Sequence, residues 1–310
     1  MKTILILGGT GFIGSNIIDV FIKEGYKIIV LVRNKIRAEN LLYDRDNTTI
    51  IEGKLKDSNI IKNIILEFNI GIIIHLVSNL IPSSSEKDFN QELLNVVIPT
   101  YEIVNYISSK KIQFIFFSSG GVIYGKSDKK HTELDSLKPI NYYGYSKLLI
   151  ETYINFKHRI DGLNYIIIRP SNAYGTHQKL DKNQGFIAVA ISKLIKDETI
   201  EIWGDGKVIR DYIEVQDLSE ALFKLLESNV INETFNVGSG EGYNLLELLK
   251  ILEKHLNKKA KVVYKNKRSI DLNKVILNID KLKEYIDFQP KKIEEGICSY
   301  IDTLKIKNEK

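Results

Sequence analysis

The chain has 310 residues, 44% of them hydrophobic and 27% charged, with Lys and Arg exceeding Asp and Glu by 44 to 39 for a net charge of +5. These values exclude a disordered chain, a collagen-like repeat and a disulfide-stapled miniature fold, and they allow a full core with two lobes. The apolar runs, such as Ile72 to Val77 and Ile112 to Phe117, fall far short of the ~20 residues that cross a bilayer.

From the N-terminus, strand-like runs alternate with amphipathic stretches. Thr3–Leu7 reads as a strand, Phe12–Lys23 as a helix and Lys27–Val32 as a strand. Thr49–Ile51 and Ile72–Leu76 follow as strands, with a helix near Asn59–Phe68 between them. One long helix near Asp88–Ser109, a strand at Ile112–Phe117, a helix near Tyr145–Arg159 and a strand at Tyr165–Ile168 complete the rhythm. Near-continuous Ile, Val and Phe in the strands predict a parallel sheet covered on both faces, an α/β doubly wound fold of the Rossmann type.

After Arg169-Pro170 the rhythm loosens into helices near Phe186–Lys196, Gln216–Glu227, Leu245–His255 and Lys292–Ile306, with a short strand at Glu201–Trp203. This predicts a nucleotide-binding domain over 1–168, with 205–237 returning to it, and a smaller α+β substrate lobe from 169–204 and 238–310.

The segment Gly8-Gly9-Thr10-Gly11-Phe12-Ile13-Gly14 follows the first strand and opens the first helix. There, glycines permit a tight turn, close approach of backbone N–H groups to a pyrophosphate, and tight packing of helix on strand. A carboxylate commonly ends the second strand in such a site and binds the adenosine ribose hydroxyls. Here Val32 ends it, with Arg33 next and Arg37 one turn on. Two readings stand: Arg33 meets a 2′-phosphate, so the cofactor is NADP, or it is a solvated loop residue beside NAD.

Tyr-x-x-x-Lys occurs three times, at Tyr106/Lys110, Tyr143/Lys147 and Tyr153/Lys157. The first and third lie within helices, where packing or surface roles suffice. Tyr143/Lys147 falls at a helix entrance downstream of Ser118-Ser119-Gly120-Gly121-Val122-Ile123-Tyr124-Gly125, at the carboxyl end of a strand, where ligands bind in such sheets. A tyrosine of pKa ~10 is a poor base at neutral pH unless a neighbouring ammonium stabilises its phenolate, and Lys147 is one helical turn away.

These residues resemble the extended short-chain dehydrogenase/reductases, the NAD-dependent epimerase/dehydratase family, and within it the UDP-glucose 4-epimerase branch. The resemblance extends to Ile74-His75-Leu76-Val77-Ser78, to Arg169-Pro170-Ser171-Asn172-Ala173-Tyr174-Gly175 and to Trp203-Gly204-Asp205-Gly206 through Arg210-Asp211-Tyr212-Ile213. It implies Tyr143 as catalytic base, Lys147 as its electrostatic partner and a ribose ligand, and Gly8, Gly11, Phe12, Ile13, Gly14, Arg33 and Leu76 around the dinucleotide. It implies Asn172, Glu201, Trp203, Arg210, Arg268 and Asp271 around a nucleotide sugar, and a homodimer built on the helices at Asp88–Ser109 and Tyr145–Arg159; the N-terminal stretch, one basic residue and a short apolar run into glycines, is expected of a cytoplasmic protein.

Four departures stand out. The position four before Tyr124, usually Ser or Thr, is Gly120, so Ser119, Ser118 or water must serve in its place. Val32 replaces the acid of the second strand, Lys54 replaces an Asp after Gly53, and the Asn of the fourth helix is displaced to Asn95. Gly121 and Val122 stand where a sugar 4,6-dehydratase keeps its acid pair, which disfavours that activity. The implied activity is 4-epimerisation of a UDP-hexose; the alternative is an NADP-dependent nucleotide-linked 4-keto-6-deoxyhexose reductase, and a non-catalytic sensor is the third reading. The five histidines have no metal-ligand spacing, no nucleic-acid motif is present, and Cys298 has no disulfide partner.

Overall fold

The computed structural model describes residues 3–42, 45, 47–182, 184–266 and 272–308. In the first half, β1 (Thr3–Leu7), α1 (Phe12–Lys23), β2 (Lys27–Val32), α2 (Lys35–Leu42), β3 (Thr48–Glu52), α3 (Ser58–Glu67) and β4 (Ile70–His75) follow in order. Next come α4 (Glu86–Glu92), α5 (Ile98–Ile107), β5 (Gln113–Phe117), α6 (Tyr142–Asp161) and β6 (Asn164–Pro170). The second half carries β7 (Asn172–Tyr174), α7 (Phe186–Ile195), β8 (Ile200–Trp203), β9 (Ile209–Glu214), α8 (Val215–Glu227) and β10 (Glu233–Val237). It ends with β11 (Gly242–Asn244), α9 (Leu245–Leu256), β12 (Val262–Lys265), β13 (Lys274–Val275), α10 (Asp280–Tyr285) and α11 (Ile293–Asn308).

Seven strands form one parallel sheet in the order β10-β6-β5-β4-β1-β2-β3. Alternate residues of each strand feed opposite faces. Ile4 and Ile6 pack with Ile17 and Phe21 of α1 and Leu218 and Leu222 of α8, while Leu5 and Leu7 pack with Ile61 of α3, Val104 of α5 and Ile150 of α6. The doubly wound expectation holds, and the strand order reverses between β1 and β4, which opens a crevice at their carboxyl ends.

Of residues 205–237, α8 joins the α1 face and β10 completes the large sheet, whereas β9 belongs to a smaller sheet with β7, β11 and β13. A third apolar cluster, including Tyr174, Ile191, Ile202, Leu252 and Ile297, lies under that half of the chain.

The long helix expected at Asp88–Ser109 is broken. A π-helical turn spans Leu93–Val97, closed by the Ile98 N–H bonding to the Leu93 carbonyl. Pro99 follows at once and has no N–H to continue the α ladder, so the helix widens by one residue before α5 begins.

Candidate active site

The crevice is a cleft of about 790 Å³ lined by Leu7, Gly8 and Gly11 on one side and Leu76 to Leu80 on the other. Gly8 has φ +92°, a conformation that suits glycine, and its carbonyl accepts the Gly11 N–H at 3.0 Å. A Cβ on Gly14 would stand 2.5 Å from the Gly8 oxygen, so helix and loop touch only because Gly14 has no side chain. Helix α1 starts at Gly11 with no side-chain cap and no acid in its first turn. The cradle therefore offers free backbone donors to an anion, and it fits the pyrophosphate of a dinucleotide. Phe12 and Ile13 lie in that first turn, half-buried, and do not line the cleft; Arg33 and Leu76 do.

Asn141 caps α6, its side chain accepting the Gly144 N–H at 2.8 Å, which sets Tyr143 and Lys147 in the first turns of the helix. Lys147 is buried, donates from Nζ to the Phe117 carbonyl at the end of β5 at 2.9 Å, and lies 5.8 Å from the centre of the Tyr143 ring. Burial lowers its pKa to about 8, with the nearby Glu92 and Glu151 carboxylates pulling the other way. Burial also pushes the Tyr143 phenol above its ordinary value, opposed by a hydrogen bond with Ser119.

The two serines before Gly120 differ in their surroundings. Ser119 reaches Tyr143, whereas Ser118 is buried with its hydroxyl unpartnered. A side chain on Gly120 would run into Leu277 instead of the cleft.

The motif reading missed Glu92. Although it is 2% exposed and lies at the end of α4, its carboxylate accepts Ser78 Oγ at 2.8 Å, Asn79 N at 3.0 Å and Asn79 Nδ2 at 3.1 Å. It anchors the chain leaving β4, lines the cleft, and acts electrostatically on both Tyr143 and Lys147. The displaced Asn95 also lines the cleft from the π turn, its side chain donating to the Gln91 carbonyl at 2.8 Å.

On the other side of Ser119, Asn172 opens β7, near Gly121, and donates to the Asp211 carbonyl at 2.9 Å. Arg210 lies beside Asp211 on β9, half-buried. Glu201 and Trp203 share the exposed face of β8, where Glu201 meets Lys265 at 3.7 Å. Arg268 and Asp271 lie outside the described residues. Asp211 itself is a clamp: its buried carboxylate accepts the N–H groups of Ser239, Gly240 and Leu277 at 2.9 to 3.2 Å. Among the described residues no group of three or more His, Cys, Asp or Glu is placed to hold a metal, and no helix is long and apolar enough to cross a membrane.

The profile of the NAD dependent epimerase/dehydratase family matches residues 4–238. The chain belongs to that family. It is 32% identical over 310 residues to the dTDP-4-dehydro-6-deoxyglucose reductase of Escherichia coli, covering 98% of each. It is 28% identical over 324 residues to the UDP-glucose 4-epimerase of Bacillus subtilis, covering 96% of this chain and 94% of that one. The crystal structure of the UDP-glucose 4-epimerase of Thermotoga maritima with UDP-glucose superposes with a TM-score of 0.91 at 29% identity, over 99% of this chain and all of the other. Family and fold thus agree with the resemblance drawn from the motifs.

Proposed function

We propose that this chain is an NAD-dependent nucleotide-sugar 4-epimerase whose substrate is a UDP-hexose, either the glucose/galactose pair or its N-acetylated analogue, and which works through a transient 4-keto sugar. The observation that carries this reading is the hydrogen bond of Ser119 with Tyr143, with Lys147 anchored to the end of β5, in electrostatic reach of Glu92, which lines the glycine-cradled cleft. Gly8, Gly11, Phe12, Ile13, Gly14, Arg33, Leu76 and Lys147 would hold the dinucleotide. When bound, that group supplies a hydride acceptor.

The chain manages the proton. Tyr143 takes it from the sugar O4 as C4 is oxidised and returns it after the keto sugar has presented its other face. A buried phenol resists ionisation, and the Lys147 ammonium, 5.8 Å from the Tyr143 ring centre and protonated below about pH 8, is the cation placed to favour its phenolate. Ser119, already bonded to Tyr143, would orient O4. Asn172, Arg210, Glu201 and Trp203, with Arg268 and Asp271, would hold the diphosphate and uridine.

The decisive variant is Tyr143→Phe. It should bind UDP-sugar within a factor of about 3 of the parent while kcat falls about 10²–10⁴-fold, the usual weight of a positioned acid–base group. Near-normal turnover in that variant overturns the assignment.

A second reading has its own support. Val32 followed by Arg33, together with 32% identity to a reductase of a nucleotide-linked keto sugar, favours an NADP-dependent 4-keto-6-deoxyhexose reductase using the same Tyr143/Lys147 pair.

We place the chain in the cytoplasm as a homodimer. Leu94 and Ile98 beside the π turn and Tyr145 and Phe156 of α6 are exposed, and a second copy packed there would complete a four-helix bundle. Sedimentation at twice the chain mass supports this, and a monomer at micromolar concentration contradicts it.

A further inference from the structure

One buried carboxylate gathers the ends of the small sheet. β9 is the strand with which β7, β11 and β13 all pair. Asp211 stands on it where one neighbour gives way to the next: β13 pairs as far as Val275, opposite Arg210, and β7 begins at Asn172, opposite Tyr212. Gly242 of β11 is opposite Asp211 itself. With three residues in β7, three in β11 and two in β13, these ladders carry few hydrogen bonds, so side chains must fix where the strands end.

Asp211 does this with every acceptor it has. It is 1% exposed; its Oδ1 accepts the Ser239 N–H at 2.9 Å and the Ser239 hydroxyl at 3.0 Å, and its Oδ2 accepts the Gly240 N–H at 3.1 Å and the Leu277 N–H at 3.2 Å. An ionised carboxylate has about four lone-pair sites, and these four donors fill them. A Cβ on Gly238 would stand 2.7 Å from Oδ2, so the chain leaving β10 closes on the carboxylate only because that residue is glycine. The Asp211 main chain is used as well, its carbonyl accepting Asn172 Nδ2 at 2.9 Å. Successive strand residues point to opposite faces, so the half-buried Arg210 side chain leaves β9 on the face away from this clamp.

We propose that Asp211 is the positioning residue of the nucleotide-sugar site: its carboxylate fixes β9 against the segments that follow β10 and β13, and thereby sets Arg210 and Asn172 where they grip a diphosphate. The inference rests on the nucleotide-sugar reading of those two residues. It leaves the dinucleotide alone, since Asp211 does not line that cleft.

Isothermal titration of the folded full chain with UDP and, separately, with NAD tests this. Asp211→Asn keeps the side-chain size but sets an NH2 among N–H donors, so the strand ends must shift. Displacement of a positioned group by about 1 Å is costly, and UDP should bind about tenfold weaker or worse while NAD stays within about twofold. With UDP-galactose, KM should rise alongside the UDP Kd and kcat should stay within about threefold. An aspartate that only supports the fold would lower the urea midpoint and leave UDP affinity and KM at parental values, which overturns the proposal, as does equal weakening of UDP and NAD. If Asp211→Asn does not fold, Ser239→Ala removes a single donor and should weaken UDP about threefold with NAD unmoved; parental UDP affinity there overturns the proposal. A folded parent that does not bind UDP overturns the UDP-sugar reading and the role of Asp211 with it.

Discussion

Leu277 fills the space that a side chain on Gly120 would need: its Cδ1 lies 2.6 Å and its Cδ2 2.9 Å from where a Cβ would stand, with the Arg169 carbonyl at 3.1 Å on another side. Leu277 is fully buried and its N–H is bonded to Asp211, so it has little room to yield. The packing of Leu277 therefore leaves no room for a hydroxyl-bearing side chain at position 120.

Gly120→Ser should cost about 1–3 kcal/mol, as overpacking does, and should not raise turnover. In a Leu277→Ala background the same change should cost at least about 1 kcal/mol less, because the two sites are in contact. Urea unfolding of the four proteins measures this coupling, and additivity of the two changes would contradict the packing account.

Lys147 pays for its position in stability. Its folded pKa of about 8 lies below the 10.5 of an unfolded lysine, so between those values the unfolded chain holds the proton and the folded chain does not. Stability from this group is lowest below pH 8 and rises from there toward pH 10.5, at up to about 1.4 kcal/mol per pH unit. Lys147→Met should thus unfold at higher urea than the parent at pH 7, by about 1–3 kcal/mol, while losing activity. The difference should shrink between pH 8 and 10; a constant or widening difference would refute the assignment.

Glu92 tunes the same ammonium from the opposite direction. Its negative charge raises the Lys147 pKa, so Glu92→Gln should lower it further and move the alkaline fall of kcat/KM to lower pH, by up to about one unit. A variant whose KM rises with an unmoved pH profile would reduce Glu92 to an anchor of Ser78 and Asn79.

Arg169 and Glu151 form a buried bidentate pair, Nη2 to Oε2 at 2.6 Å and Nε to Oε1 at 3.1 Å, and Arg169 Nη1 also donates to the Tyr124 hydroxyl at 2.9 Å. The pair ties β6 to α6, the helix that carries Tyr143 and Lys147. Glu151→Gln leaves a buried guanidinium without its counter-charge and should cost about 3–5 kcal/mol, read by urea denaturation. A loss under 1 kcal/mol would mean that the network relaxes around the change.

The parallel sheet was legible because its strands are buried on both faces and read as unbroken Ile, Val and Phe. Context in the sequence set Tyr143 apart from the other two Tyr-x-x-x-Lys pairs; in the structure Lys110 lies over the Tyr106 ring at 4.7 Å, and Tyr153 stacks on Tyr101 at 4.0 Å. The break in the long helix had a visible cause in Pro99, but its widening into a π turn depends on where α4 and α5 must pack. Glu92 was silent because its meaning comes from Ser78 and Asn79, brought to it by the fold. The small sheet escaped notice because β7 and β11 have three residues each and β13 two, too short for any period to register.

The most direct measurement is proton NMR of the purified chain with UDP-galactose and, separately, UDP-N-acetylgalactosamine, supplied with NAD or NADP and no reductant. Appearance of the matching gluco-epimer, abolished in Tyr143→Phe, is the predicted result. Folded chain that binds dinucleotide yet leaves both sugars unchanged would contradict the epimerase assignment.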